Sequence, residues 1–406
     1  MHFGIFHQGR AFDQPESASL NKKYENQAEQ FGHAALQMNM SPNYSKQKSM
    51  PTIALEMERI RNQHSGLGQY CLQLGHAFAA SPHSWGLGFA CLVPQDSVGV
   101  FGNSMTYKSV KAWHKIIPPS FAEKIAVWHC MHQDSVYMPP SRKTPLAITI
   151  HDLNLLDRED YSAAKKSRRA AAMQQKISRA SGLIYISNFV REWVNDHLKV
   201  RAGIVEKVIY NGGTLANKMP RPQNLLSTHQ NPFLFSIGIN PKKNYHVLMP
   251  ILKHFPEYNW IIAGPDGRGY RSKIEQEAAK LGVTDRIEFC GVISEEAKRN
   301  YYENCSALLF PSLSEGFGLP VIEAMSLGKP VFISNRTSLP EIGGREAYYF
   351  TDFDSETLIS TFAAGMKDYK NDRDKPTRIK AWASQFTWEK AAAQYLEFYQ
   401  EMLSAG

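Results

Sequence analysis

The sequence predicts an α/β protein made of two doubly wound, Rossmann-like domains that face each other across a cleft. Three observations predict it. Short apolar runs alternate with helical stretches, the alternation stops at a proline-containing segment, and it then begins again. Runs such as GLGFACLV, PLAITI and SALLF are apolar throughout, as expected of parallel strands covered on both faces. A chain of 406 residues is too long for one ordinary core and comfortable for two.

Residues 1–50 stand apart. They are rich in Asn, Gln, Ser and Lys with no sustained apolar period, and read as a disordered extension that cannot offset its ordering entropy. Met50 directly precedes the first convincing strand, so one expectation is a translation start there. The first domain is expected over 51–218. It begins with the strand TIALEME, the loop NQHSGLG and the helix QYCLQLGHAFAA, and continues to the strand KVIYN. NKMPRPQNLLSTHQNP breaks the pattern, placing a linker at 219–232. The second domain is expected over 233–385, from FLFSIG to beyond PVFIS. Residues 386–406 complete a helix (KAWASQFTWEKAAAQYLEFYQEML) that packs back towards the first domain.

Composition narrows the function classes. With 43% hydrophobic and 21% charged residues the chain is globular, not collagenous, coiled-coil or wholly disordered. No apolar run is long enough to span a bilayer, and the N-terminus lacks the basic start and apolar stretch of a signal peptide. Five scattered cysteines without a CxxC pair argue against a disulfide framework or a cysteine-built zinc site, and fit a cytoplasmic location. The formal charge of +8 permits an anionic partner.

The most informative segment is SALLFPSLSEGFGLPVIEAMSLGKPVFIS. A strand ends at Phe310, a loop carries Glu315, Gly316, Phe317 and Gly318, and a helix starts at Leu319-Pro320. Proline loses no hydrogen bond in a first helical turn. The glycines let backbone approach a ligand, and the free N–H groups at Gly316–Leu319 can hold a diphosphate. Glu323, a turn into the helix, could accept both hydroxyls of a ribose. Glu315 could hold the hydroxyls of a group beyond the diphosphate.

EGFGLPVIEAM resembles the E-x7-E signature of the retaining glycosyltransferases of family 4, with Glu315 and Glu323 as the two acids. The resemblance covers about residues 52–403. SGLGQY, with Gly66 and Gly68, is similar to that family's glycine loop, and TIHDLNLL to the segment with a functional histidine, here His151. YISNFVREWV, VIYNGG, FLFSIGINPKKN, SLPEIGG and FTWEKAAAQY are similar to further family segments in the expected order. The resemblance implies the two-domain GT-B fold and transfer of a hexose, of mannose or glucose type, from a nucleotide diphosphate sugar. It implies that His151 faces the donor sugar, that Lys243 neutralises the diphosphate, and that the Ile293 backbone holds the nucleobase; taken alone, Ile293 reads equally as plain core. Many members have an arginine after the glycine matching Gly238; here Ile239 stands there, so either Lys242 takes over the second positive charge or phosphate neutralisation is weaker. Taken alone, Lys242 reads equally as an exposed helix-start lysine.

Other clusters are weaker. His129 and His132 lack metal-ligand spacing and are expected to line the acceptor side of the cleft; no metal or cofactor is expected. In KKSRRAAAMQQKISR, Lys165, Arg168, Arg169, Lys176 and Arg179 fall within one arc of about 100° on a helix. That stripe is either a solvated face or a landing surface for anionic lipid or a lipid-linked phosphate. Nucleic acid is not expected. The expected function is transfer to a glycan or lipid-linked acceptor at the inner face of the membrane. The alternatives are a sugar-nucleotide epimerase or hydrolase, and a non-catalytic nucleotide-sugar-binding scaffold.

Overall fold

The computed structural model describes residues 50–81, 85–152, 161–215 and 231–405. The expected extension up to residue 49 and the expected linker, except residues 231 and 232, lie outside the described residues.

The first half contains, in chain order, β1 (Thr52–Glu56), α1 (Gly66–Ala80), β2 (Gly88–Val93), β3 (Thr106–Ser109), β4 (Ile125–Cys130), β5 (Leu146–Ile150), α2 (Ala163–Arg179), β6 (Gly182–Tyr185), α3 (Asn188–His197) and β7 (Val205–Val208). Its seven strands form one parallel sheet in the order β3-β2-β1-β4-β5-β6-β7. The second half contains β8 (Phe233–Ile239), α4 (Met249–His254), β9 (Asn259–Asp266), α5 (Tyr270–Leu281), β10 (Ile287–Gly291), α6 (Glu295–Asn304), β11 (Ala307–Phe310), α7 (Leu319–Ser326), β12 (Val331–Ser334), α8 (Leu339–Gly343) and β13 (Tyr348–Phe350). Its six strands are also all parallel, in the order β10-β9-β8-β11-β12-β13. Each sheet therefore reverses its winding once, between β1 and β4 and between β8 and β11. Ligands of doubly wound sheets bind beyond the strand ends at such switch points.

The helix starts are encoded locally. Ser65, Ser162, Ser187 and Ser294 each accept a hydrogen bond from the backbone N–H three residues on, satisfying a donor the helix leaves unpaired. The last expected helix is in fact two. After α9 (Ser355–Asn371), α10 (Lys375–Ala383) stops before Ser384, and α11 (Trp388–Ser404) starts afresh with Thr387 as its cap. Phe386 between them is buried against Phe317, so the break serves packing.

α11 lies against α1, β4 and β7 of the first half. A buried polar cluster fastens it there. Tyr395 bonds Tyr70 at 2.6 Å, Tyr399 bonds His129 Nδ1 at 2.7 Å, and Thr149 bonds His129 Nε2 at 2.8 Å. Elsewhere Glu341 of α8 accepts hydrogen bonds from the Asn188 and Phe189 backbone at the start of α3 and from Tyr210. One buried apolar cluster continues from Trp128 and Ile148 of the first sheet to Phe235 and Phe310 of the second and to Phe317 in the loop before α7. No helix among the described residues is long and apolar enough to cross a membrane.

Candidate active site

The loops after β8 and β11 bring the second domain's cations and acids together at its switch point. Lys243 follows β8, and Glu315 follows β11. The Lys243 ammonium donates to Glu315 Oε1 at 2.8 Å, and Lys242 stands 3.8 Å from Oε2. Ser312 donates to the same carboxylate at 2.6 Å. Burial alone would raise the Glu315 pKa, but the two lysines and Ser312 outweigh it and hold it down at about 2. Lys243 is 8% exposed, and its ammonium lies 4.1 Å from the centre of the Phe310 ring. Its burial lowers its pKa, against the pull of Glu315.

Gly316 and Gly318 have different reasons to be glycine. Gly318 has φ +110°, a conformation side chains rarely adopt, and it caps the start of α7. A methyl on Gly316 would lie 1.8 Å from the carbonyl oxygen of His151, in the other domain. Ser187 Oγ donates to the Gly316 carbonyl at 2.7 Å and pins that approach. Phe317 is buried between Tyr210 and Phe386. Leu319 opens α7, its Cδ1 4.0 Å from where a Gly66 Cβ would stand.

His151 follows β5 and is nearly buried. Its Nε2 contacts the Met131 carbonyl at 2.9 Å. A carbonyl only accepts, so the proton sits on Nε2 and Nδ1 is the acceptor. Burial lowers the His151 pKa to about 4, opposed by that hydrogen bond and assisted by the Arg59 charge. The ring is neutral at physiological pH.

Glu323 sits inside α7 at 4% exposure. Its Oε1 accepts from Lys298 at 3.0 Å and from the Thr214 hydroxyl. Lys298 of α6 was invisible in the sequence as a partner, because 25 residues separate the two. Burial would lower the Lys298 pKa, yet Glu323 and Glu295 raise it. Ile293 follows β10, half-buried and packed on the core cluster just before the Ser294 cap. Thr337 was also missed. It has φ +54°, rare for a β-branched residue, and its Oγ1 accepts from the Glu315 backbone N–H at 3.0 Å.

Gly68 is required by its own loop, since a Cβ there would lie 1.9 Å from the Asn62 carbonyl oxygen. Two expectations need correction. His129 does not line the cleft; it is fully buried in the Tyr395–Tyr399 cluster. Nor are the α2 cations one free stripe. Arg168 and Arg169 are exposed and Lys165 lies over the Tyr161 ring, but Lys176 donates to the Gln133 and Ser135 carbonyls at 2.9 and 2.6 Å. Arg179 reaches the Ser141 carbonyl. Carbonyls of the adjacent loop draw these two inward.

Residues 218–385 match the family described as glycosyl transferases group 1. That match runs through the second sheet and on through α10. The match contains Lys242, Lys243, Ile293, Glu315 and Glu323. O-antigen chain mannosyltransferase B of Escherichia coli is 24% identical over 282 residues, covering 66% of this chain and 73% of that protein. Among solved structures, sucrose-phosphate synthase of Thermosynechococcus elongatus superposes with a TM-score of 0.67 at 19% identity, covering 88% of this chain and 100% of that one. The Anabaena protein HepE in complex with UDP-glucose gives 0.62 at 18% identity, covering 85% and 99%. These likenesses show the fold, two Rossmann-like domains of the GT-B type.

Two predictions arise from this geometry. Glu323→Ala should weaken nucleoside diphosphate binding by about 1.5–3 kcal/mol, the worth of hydrogen bonds to a charged group. Unaltered affinity by calorimetry in a folded variant would remove the ribose role. The second concerns acid. Burial, with the His151 charge adding, lowers the pKa of His129 to about 3; that of His151 is about 4, against an ordinary 6.5 for both. Both rings take up protons on unfolding, so their stabilisation is complete above 6.5 and is lost as pH falls towards 4. Each withdraws up to about 1.4 kcal/mol per pH unit. Glu56, whose pKa burial raises, acts in the opposite sense. Glu315 contributes only below the ordinary carboxylate value of 4.5. The urea midpoint should therefore drop between pH 6.5 and 5; a flat profile would contradict the neutral, buried histidines.

Proposed function

We propose that the protein is a retaining glycosyltransferase of family 4. On this reading it moves a hexose of the mannose or glucose type from a nucleotide diphosphate sugar to a hydroxyl of a glycan or lipid-linked acceptor. The observation that carries the proposal is the Lys243–Glu315 pair at the loop before α7, where the next residue, Gly316, meets the His151 backbone of the opposite domain. The mannosyltransferase relative supports the hexose and the polysaccharide setting.

In this reaction the bond from the anomeric carbon to the diphosphate breaks, and negative charge grows on the leaving oxygen. Groups fixed where that charge develops stabilise the transition state. Lys243 and Lys242 supply positive charge, and the N–H groups from Gly316 to Leu319 supply dipoles. Glu323 holds the ribose and the Ile293 backbone the base. Glu315 orients sugar hydroxyls as an acceptor, and the neutral Nδ1 of His151 accepts from another. Same-face attack passes the acceptor proton to the departing phosphate oxygen, so no side chain is needed as a base. No metal or cofactor enters the scheme, since the cationic cradle takes that electrostatic role. The acceptor setting is the cytoplasmic face of a membrane, with Lys165 and Arg168 towards anionic lipid.

Labelled nucleotide sugars, incubated with and without a membrane extract, test the reading. Turnover should need the extract. Free sugar or an isomeric donor without extract would point to a hydrolase or epimerase, and binding without turnover to a scaffold.

A further inference from the structure

The first domain has a switch point of its own, between β1 and β4, and a pocket opens there. Arg59 reaches it from the loop after β1, Gln133 and Asp134 from the loop after β4, and Arg169, Met173 and Lys176 from α2. Three cations and one carboxylate, that of Asp134, thus line the pocket, and the buried Glu56 carboxylate is near enough to act on Arg59 and Lys176. No carboxylate among the described residues pairs with Arg59 or Arg169 within ion-pair distance, while Lys176 is tied to the loop carbonyls behind them. A guanidinium presents a planar fork of donors that suits a phosphoryl group. Two such forks at a switch point form a receptive site for an anion.

The pocket also borders the transfer site. Gln133 in its wall donates through Nε2 to the Asp152 carbonyl at 2.8 Å and accepts the His151 backbone N–H on Oε1 at 3.0 Å. One side chain therefore links the pocket to the residue facing the cleft. The Arg59 charge is close enough to lower the pKa of both His132 and His151.

We propose that this pocket seats a phosphoryl group borne by the acceptor, gripped by Arg59 and Arg169 with Lys176 behind them. The acceptor's role rests on the transferase reading; the anion site itself does not. A phosphate held there places the attached acceptor beside His151. Two of the α2 cations are then parts of a pocket and not of a membrane-facing stripe.

The test uses glycerol 3-phosphate as a soluble phosphate monoester, titrated by calorimetry into the full-length protein and into Lys243→Ala. Both should bind it saturably and alike, because the donor cradle is not its site. Arg59→Gln should weaken binding roughly tenfold or more, the loss of one charged hydrogen bond, with the thermal midpoint unchanged. Arg59→Lys should restore part of the affinity. A lipid-borne phosphate is distinguished with vesicles of phosphatidic acid against phosphatidylglycerol. Arg59 lies off α2, so its loss separates the pocket from surface attraction. Preference for phosphatidic acid that Arg59→Gln removes, without binding of the soluble monoester, assigns a lipid-linked phosphate. Failure of both probes, or equal binding by wild type and Arg59→Gln, overturns the proposal. Should the protein bind no nucleoside diphosphate, the transferase reading falls while the anion measurement stands.

Discussion

Lys243→Ala is expected to lower turnover by about 10²–10³-fold, the loss seen when one preorganised donor to a developing anion is removed, or roughly 2.7–4 kcal/mol. The reason is position. Lys243 is fixed between Glu315 Oε1 at 2.8 Å and the Phe310 ring at 4.1 Å, so its charge needs no reorganisation as the diphosphate departs. Lys242, 3.8 Å from the other carboxylate oxygen and more exposed, cannot take that place. The variant also leaves Glu315 buried with one lysine fewer, so its pKa should rise from about 2. Affinity for the nucleoside without phosphates should be unchanged, while that for the nucleoside diphosphate falls. Calorimetry with both compounds, beside initial rates, separates these effects. Equal losses for the two would contradict a phosphate partner for Lys243.

Gly316→Ala should be nearly as damaging, through geometry and not charge. The added methyl would stand 1.8 Å from the His151 carbonyl oxygen, well inside contact distance. Both partners are backbone, so no side-chain rotation relieves the clash. Either the domains part there or the Glu315–Gly318 loop shifts, and the Ser187–Gly316 hydrogen bond is lost with it. A misplacement of about 1 Å at a reacting centre is worth on the order of a 10²-fold loss in rate. If the domains part and the loop keeps its place, nucleoside diphosphate affinity should hold, since Lys243, Glu323 and Lys298 are untouched. If the loop shifts, the affinity falls with the rate, because the Gly316–Leu319 N–H groups belong to the cradle. Full activity in Gly316→Ala would mean that the close approach of the domains at this point plays no part in transfer.

The two cases show what was legible in the sequence. The strand, loop and helix around Glu315 could be read because their parts are consecutive: strand, EGFG, proline and Glu323 lie within one short βα unit, and Lys243 follows the strand that pairs with β11. Both parallel sheets were likewise legible from unbroken apolar runs. What escaped depends on groups distant in sequence. The reason for Gly316 is a carbonyl in the other domain. Lys298 meets Glu323 from another helix, and His129 is claimed by Tyr399, 270 residues away. The helical wheel of α2 puts its five cations on one arc but cannot show the carbonyls of the adjacent loop that capture Lys176 and Arg179. The break before Thr387 needed knowledge of where Phe386 would be buried.

The central claim is that the second domain's switch point holds the diphosphate of a nucleotide sugar. A crystal structure of the protein with bound nucleoside diphosphate tests it most directly. The account predicts the diphosphate at hydrogen-bonding distance, about 2.7–3.2 Å, from Lys243 Nζ and from backbone N–H groups at the start of α7, with the ribose on Glu323. A nucleotide bound elsewhere, or one whose phosphates turn away from Lys243 and the Gly316–Leu319 backbone, would contradict it.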